Sequence, residues 1–225
     1  MSPPDAAALL LTLKLACAAT LILLVIGTPL AWWLAQTRRR GKPVVEAIVA
    51  LPLVLPPTVL GFYLLIALNP QSPIGSSWLR MTGDTLTFSF SGLVLASVLY
   101  SLPFMVQPLQ SAFETITRKP MEVAASLGAS PWGAFFKVAV PASARGFLTA
   151  IILTFAHTLG EFGIVLMVGG NIPNRTRVIS IAVYERVETL QYAEAHALSL
   201  FLLVLSFSVL LFVYIFNRRF PIHVG

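Results

Sequence analysis

Residues 122–141 read EVAASLGASPWGAFFKVAVP. The segment opens on a carboxylate, runs through small residues to a glycine, closes on a proline, and separates two long apolar runs. Its local chemistry spells two short helices. Pro120 suits the first turn of a helix over 121–127, because a helix start leaves its N–H groups unpaired anyway, and Gly128 supplies the stop. Ser130 followed by Pro131 caps and starts a second helix. The two are expected to hang as an L beside the apolar runs. Ala124 and Ala125 are small enough to let another surface approach, while Leu127, Phe135 and Phe136 are apolar groups that need covering. On these residues alone, a helix–turn–helix loop folded back onto its own bundle meets the same needs.

The surroundings set the solvent. Of 225 residues, 57% are hydrophobic and 11% charged, with a mean hydropathy of +0.85, against about 45–50% and about 25% in a soluble domain. The chain reads as an all-α integral membrane protein with one transmembrane domain over 1–225, since helices satisfy their own backbone groups in lipid. Five runs approach or exceed the roughly 20 residues that cross a bilayer core: 8–35, 44–68, 88–113, 144–168 and 193–216. The first is preceded by no basic residue and continues to Trp32 and Trp33, so it reads as a retained span with an indole pair at the interface, not as a cleaved signal. Segment 174–191 is more polar. With Ile179, Val183, Val187 and Leu190 at helical spacing, it is expected to form a short interfacial or re-entrant helix. The one cysteine, Cys17, permits no intrachain disulfide and reads as an inert small residue facing lipid or a neighbouring helix.

Basic residues assign the sides. Arg38, Arg39, Arg40 and Lys42 follow the first run; Arg118, Lys119, Lys137 and Arg145 flank or lie in the segment between the third and fourth; Arg218 and Arg219 end the fifth. The opposite side carries only Arg80, Arg175, Arg177 and Arg186, with Lys14 left inside the first run. The positive-inside rule then puts the N-terminus outside and segment 122–141 and the C-terminus in the cytoplasm. The net charge of +6 is a topology signal, and charges divided among short loops make no nucleic-acid surface.

On that side, the spacing of the segment becomes informative. Glu122-Val123-Ala124-Ala125-Ser126-Leu127-Gly128, followed by Val138-Ala139-Val140-Pro141, resembles the E-A-A-x3-G-x9-I-x-L-P loop of ABC-importer permeases. Val123 stands for an alanine, and Val138 and Val140 for isoleucine and leucine. The resemblance implies the type I importer permease fold and a coupling role for loop 114–143, in which Glu122, Ala124, Ala125, Leu127, Gly128 and Pro141 engage a cleft of a separate ATPase subunit. It also implies a second copy of the permease, a pair of ATPase subunits that bind ATP and magnesium, and an external substrate-binding protein. No catalysis and no cofactor are implied for this chain. The sequence is consistent with this, holding no G-x-x-x-x-G-K-[ST] loop and no internal repeat that would supply a second half.

Two further stretches narrow the cargo. LPLVLPPTVLGFYLL at 51–65 and HTLGEFGIVLMVGGNIPNRTRVISIAVYERVE at 157–188, with the loop, resemble the molybdate branch of these permeases over essentially the whole chain. Sulfate/thiosulfate permeases share much of the pattern, and tungstate belongs to the same oxyanion class. Binding-protein-dependent import of this kind implies the plasma membrane of a bacterium or archaeon.

Individual residues suggest the pathway. Pro52, Pro56 and Pro57 interrupt helical bonding in the second run and free carbonyls that are tolerated beside protein or a water-lined cavity; a kink used only for packing is the alternative. Glu161 lies in the fourth run, where an ionisable group is costly. A carboxylate repels a dianion, so Glu161 is expected to position a gate, hydrogen-bonded near Gly160 and Gly163 or paired across the dimer. His157, one turn earlier on the same face, is expected to hydrogen-bond to it. Thr154 and Thr158 either offer hydroxyls to an oxyanion or bond back to their own backbone. Gly169, Gly170, Asn171 and Pro173 read as a turn, and Arg175 and Arg177 beyond it would attract an anion, contact the binding protein or stand as solvated charges. A different class, an intramembrane enzyme using His157 and Glu161, would need a nucleophile or further metal ligands. His196 and His223 fall near the external edge of the fifth run and in the cytoplasmic tail, not at a matching depth.

Overall fold

The computed structural model describes residues 3–116 and 118–219, all of whose regular elements are helices. His223 lies outside the described residues, as do the side chains of Arg118, Lys119, Arg218 and Arg219. Three helices among those described are long and apolar enough to cross a membrane unbroken: α1 (Pro3–Gln36), α5 (Phe90–Glu114) and α12 (Tyr192–Arg219).

The other two runs are broken: over 44–68 this is the interruption expected of its prolines, whereas the break inside 144–168 corrects the expectation of a continuous span there. In the first, α2 (Lys42–Val54) and α3 (Pro57–Ala67) meet at 111°. The cause is the tandem proline. Each residue before a proline is driven out of the helical region, and Leu55 and Pro56 both adopt extended backbone with ψ 135. Pro57 then opens α3, where no N–H is needed. Pro52, by contrast, is carried inside α2 and breaks nothing. In the second, α9 (Ala144–Leu159) stops at Gly160, and α10 (Gly163–Gly169) restarts after Glu161 and Phe162.

The surrounding short elements complete the chain. Helix α4 (Pro73–Thr82), which the sequence reading passed over, is capped by Ser72 and stopped by Gly83. Helix α6 (Arg118–Ser126) is followed by α7 (Pro131–Ala134), a π turn over Phe135–Ala139 and α8 (Val140–Ala142), which enters α9 through a 74° bend. Segment 174–191 forms α11 (Ile179–Glu188). Its buried face is Val178, Ile179, Ile181 and Ala182, whereas Val187 and Leu190 are 43% and 70% exposed. The anticipated stripe was therefore right only at its start. Docking decided otherwise: no side chain of α11 caps its own start, and the Ile179 N–H donates instead to Thr12 Oγ1 of α1 at 2.8 Å, while the Thr12 hydroxyl donates to the Ala8 carbonyl at 2.7 Å.

Helix α1 lies along α5, and α5 along α9. In lipid the burial of apolar groups gives little net drive, so small residues and close packing hold helices together. Gly146 illustrates this: a Cβ there would fall 2.3 Å from the Cβ of Ala112, so α9 meets α5 at a distance only glycine allows. One core cluster gathers Leu34, Met105, Leu109 and Phe113, and another Leu15, Leu93, Ile164 and Ile181. Trp32 is half-buried in the first cluster, edge-on to Phe113 and Phe135 with ring centroids 5.1 Å away in each case. Cys17 is exposed on the surface of the chain.

Candidate functional site

Segment 122–141 folds as its local chemistry dictates. Helix α6 ends where Gly128 takes the left-handed conformation, φ +82, with the Gly128 N–H donating to the Ala125 carbonyl and the Ala129 N–H to the Ala124 carbonyl, both at 3.0 Å. Those two bonds satisfy carbonyls a helix end would otherwise leave open. Ser130 Oγ accepts the Gly133 N–H at 3.1 Å and starts α7. The sequence-predicted residues spread over a free surface: Glu122, Ala125, Leu127, Gly128 and Pro141 are exposed and Ala124 half-buried. Leu127 is 83% exposed, and Trp132, which the sequence reading did not single out, 72%. Phe135 and Phe136, read alike from the sequence, part company. Phe136 is exposed, while Phe135 enters the core against Trp32 and Phe113. The segment thus has a rooted end and a free end.

The break between α9 and α10 is a second polar centre. Glu161 is 4% exposed. Its Oε2 accepts a short hydrogen bond from Ser97, and its Oε1 accepts from Ser101 Oγ at 3.2 Å, both serines standing on α5. Ser101 Oγ also lies 2.9 Å from His157 Nδ1 and 3.0 Å from Thr158 Oγ1. Each hydroxyl has one proton to give. Thr158 gives its own to the Thr154 carbonyl at 3.0 Å, and Ser101 donates to Glu161, which assigns the His157 proton to Nδ1, pointing at Ser101. The expected direct His157–Glu161 hydrogen bond is corrected: the two atoms are 3.8 Å apart, and Ser101 relays between them. The His157 ring is held by stacking on Phe104 at 4.0 Å. From the other side, Ser180 of α11 donates to the backbone carbonyl of Glu161, and Phe162 packs on Tyr184 at 4.8 Å. One residue thereby ties α5, the break and α11 together. The signal for the missed serines was present: Ser97 and Ser101 stand four apart, on one face of the apolar middle of α5.

The remaining predicted residues fall differently. Thr154 and Thr158 are sealed inside the protein, and the Thr154 hydroxyl has no partner among the described residues. Pro56 and Pro57 form the α2–α3 break. Arg175 pairs with Asp84 at 3.0 Å, and Arg177, its side chain only 16% exposed, pairs with Glu185. Arg186 bridges Asp5 of α1, at 2.7 Å, and Glu194 of α12. At the opposite end Lys42, Glu46, Gln110 and Glu114 form a network joining α2 to α5, with Gln110 Nε2 donating to Glu46 at 2.7 Å and Lys42 pairing with Glu114 at 3.1 Å. No group of three His, Cys, Asp or Glu side chains converges among the described residues.

A bundle of intact and broken apolar helices, with a capped helix pair standing free at one end and rooted in the core, has the build of a membrane transport permease. Residues 27–221 match the family of binding-protein-dependent transport system inner membrane components, and the chain belongs to that family. It is 56% identical over 220 residues to the molybdenum transport system permease protein ModB of Azotobacter vinelandii, covering 98% of this chain and 97% of that one. To the probable sulfate transport system permease protein cysT of Zygnema circumcarinatum it is 34% identical over 211 residues, covering 92% and 72%. A solved bacterial ABC transporter involved in the import of the acidic polysaccharide alginate contains a chain of the same fold, with TM-score 0.79 at 19% identity over 98% of this chain and 81% of that one.

Proposed function

We propose that this permease carries molybdate into the cell, as a pair with a second copy of itself, driven by two copies of a separate ATPase that seat on segment 122–141. The observation that carries the coupling role is the contrast inside that segment: Phe135 is buried in the core while Glu122, Val123, Leu127 and Trp132 stand exposed. A lever needs a rigid root and a free end. Glu122, Ala124, Ala125 and Leu127 then offer the contact surface, Gly128 fixes the turn, and Pro141 stands at the base, near the bend into α9. The cargo rests on 56% identity over nearly the full length of a molybdenum permease, against 34% for the sulfate relative.

The distribution of arginine and lysine supports a cytoplasmic segment 122–141 and an outside N-terminus in the inner membrane. Importing a dianion against an inside-negative potential costs about 4.6 kcal/mol per 100 mV, so an external energy source is required. ATP and magnesium are held by the ATPase. A loaded binding protein docks on the external face, where Arg175 offers an exposed charge, whereas Arg177 serves the loop through Glu185. ATP closes the ATPase pair, the coupling segments pull the helices from inward- to outward-facing, and hydrolysis resets them. Glu161 positions the break that must move.

The test is ATPase activity of the complex in liposomes with binding protein loaded with molybdate or with sulfate. Stimulation by the molybdate-loaded protein is expected. Stimulation by the sulfate-loaded one alone would keep the mechanism and overturn the cargo, and failure to assemble with any ATPase would sink the coupling assignment.

A further inference from the structure

A groove of about 640 Å³ runs between α1 and the segment that leads into α9. Leu24, Val25, Thr28 and Trp32 of α1 line one side, and Trp132 and Phe136 the other. No charged side chain lines it, and its one hydroxyl, that of Thr28, is spent on the Leu24 carbonyl at 2.6 Å. Trp132 and Phe136 stack on each other at 6.2 Å yet are 72% and 60% exposed, so their apolar faces need a further occupant. Trp32 and Leu24 stand four and twelve residues before Gln36, the last residue of α1, hence about 6 and 18 Å from its end. The groove therefore follows about 12 Å of α1, within the roughly 15 Å of one leaflet, half of a hydrocarbon core about 30 Å thick.

Cations gather beyond one end of it. Arg38, Arg39 and Arg40 follow the end of α1, and Lys137 follows Phe136. All four are exposed and none has a carboxylate partner among the described residues, unlike Lys42, which holds Glu46 and Glu114. An apolar slot one leaflet deep, with indoles near its mouth and basic side chains beyond, matches an acyl chain hanging from an anionic headgroup. Resting on the importer reading above for its side of the membrane and its consequence, we infer that the groove seats an acyl chain of an anionic phospholipid from the cytoplasmic leaflet, with its phosphate among Arg38, Arg39, Arg40 and Lys137. A subunit standing in the cytoplasm reaches the rim of this slot but not Leu24. The free face of segment 122–141 then divides: Leu127 and the turn at Gly128 meet the ATPase, whereas Trp132 and Phe136 meet lipid. The chain lies between α1 and the coupling segment, so it sets how firmly that segment is braced, and coupling follows the anionic content of the bilayer.

The test assembles the permease with its ATPase in bilayer discs of phosphatidylcholine, doped with either phosphatidylglycerol or phosphatidylcholine whose acyl chain carries a diazirine, and irradiates them. Label from the phosphatidylglycerol is expected within 24–32 and 131–140, at least fivefold above that from the phosphatidylcholine. Val25→Trp fills the slot and should cut this label at least fivefold; Val25 is 73% exposed, so the change leaves the core alone. Ile26→Trp, at nearly the same depth, 48% exposed and not part of the lining, should leave the label unchanged. Stimulation of the ATPase by loaded binding protein is expected to be at least threefold higher in discs containing phosphatidylglycerol than in phosphatidylcholine alone, a dependence that Val25→Trp abolishes. Equal labelling by the two lipids would make the groove an ordinary lipid-facing surface, and no label at either stretch in the assembled complex would mean that protein covers it; either result overturns the proposal. A chain that assembles with no ATPase would instead sink the importer reading, and labelling of the chain alone would still decide the lipid site.

Discussion

The two ends of the molecule differ in what they leave uncovered. At the end carrying α11, Arg175, Arg177 and Arg186 are each matched to a carboxylate, and the pairs stitch α1, α11, α12 and the loops around Asp84 and Asn171 to one another. At the other end, α6 and its turn present Val123, Leu127, Trp132 and Phe136 outward. The first end is held together by its own residues. At the second, α2 and α5 are joined through Lys42 and Gln110, but segment 122–141 is held by Phe135 and its neighbours and leaves its outer face uncovered, which is the arrangement expected where a partner subunit supplies the remaining contacts. On the reading proposed above, the difference separates residues that keep the fold from residues that transmit work, and mutation can sharpen or break it.

The largest effect is expected between the two ends, at the break. Glu161→Ala strips the acceptor from two buried serine hydroxyls and unties α5 from α11, and should cost about 3–5 kcal/mol, read as a lowered unfolding midpoint in detergent with uptake lost. An unshifted midpoint would refute the tie. Next is Arg186→Ala, which takes one arginine from both the buried Asp5 and Glu194. It should cost about 2–3 kcal/mol, and a double-mutant cycle with Asp5→Asn should show coupling of at least about 1 kcal/mol.

At the free end, Gly128→Val forces a β-branched residue to φ +82, at about 1–2 kcal/mol locally. The unfolding midpoint should scarcely move, because a Cβ on Gly128 would meet nothing within 4 Å, yet co-purification of the ATPase should fall at least tenfold. A large loss of stability with the ATPase still bound would reverse the contrast between the ends. The smallest effect is Arg175→Ala. Its pair with Asp84 is half exposed on both sides, so stability should change by less than about 1 kcal/mol, while stimulation by the loaded binding protein should drop if Arg175 is a docking contact.

The free end was the more legible in the sequence, because its structure is written in neighbours: Gly128 stops a helix and Ser130 caps one whatever the rest of the chain does. The long spans were legible from hydropathy for the same local reason. The break at Glu161 was not, since the helix ends where hydroxyls from Ser97, Ser101 and Ser180 become available, and those residues are 64, 60 and 19 positions away. The split fates of Phe135 and Phe136, the burial of Trp32 and the rotated face of α11 were likewise decided by what packs against them. Glu161, His157 and Thr158 were picked out because polar groups are conspicuous in an apolar run. The identity of the atom joining the first two, the hydroxyl of Ser101, needed the packing of α5.

The hydrogen bond from Ile179 to Thr12 spans 167 positions of sequence. At roughly 5–20 residues per second of translation, α1 is in the bilayer for roughly ten to thirty seconds before its partner has been synthesised. The contact of the first inserted helix with α11 is therefore among the last to form, and until α11 arrives the Thr12 hydroxyl has only its own backbone to bond. A ribosome stalled between the end of α9 and residue 179 leaves a nascent chain whose N-terminal span already packs on α5 and α9 but lacks its contact with α11, a form that membrane quality-control proteases could distinguish from the finished protein.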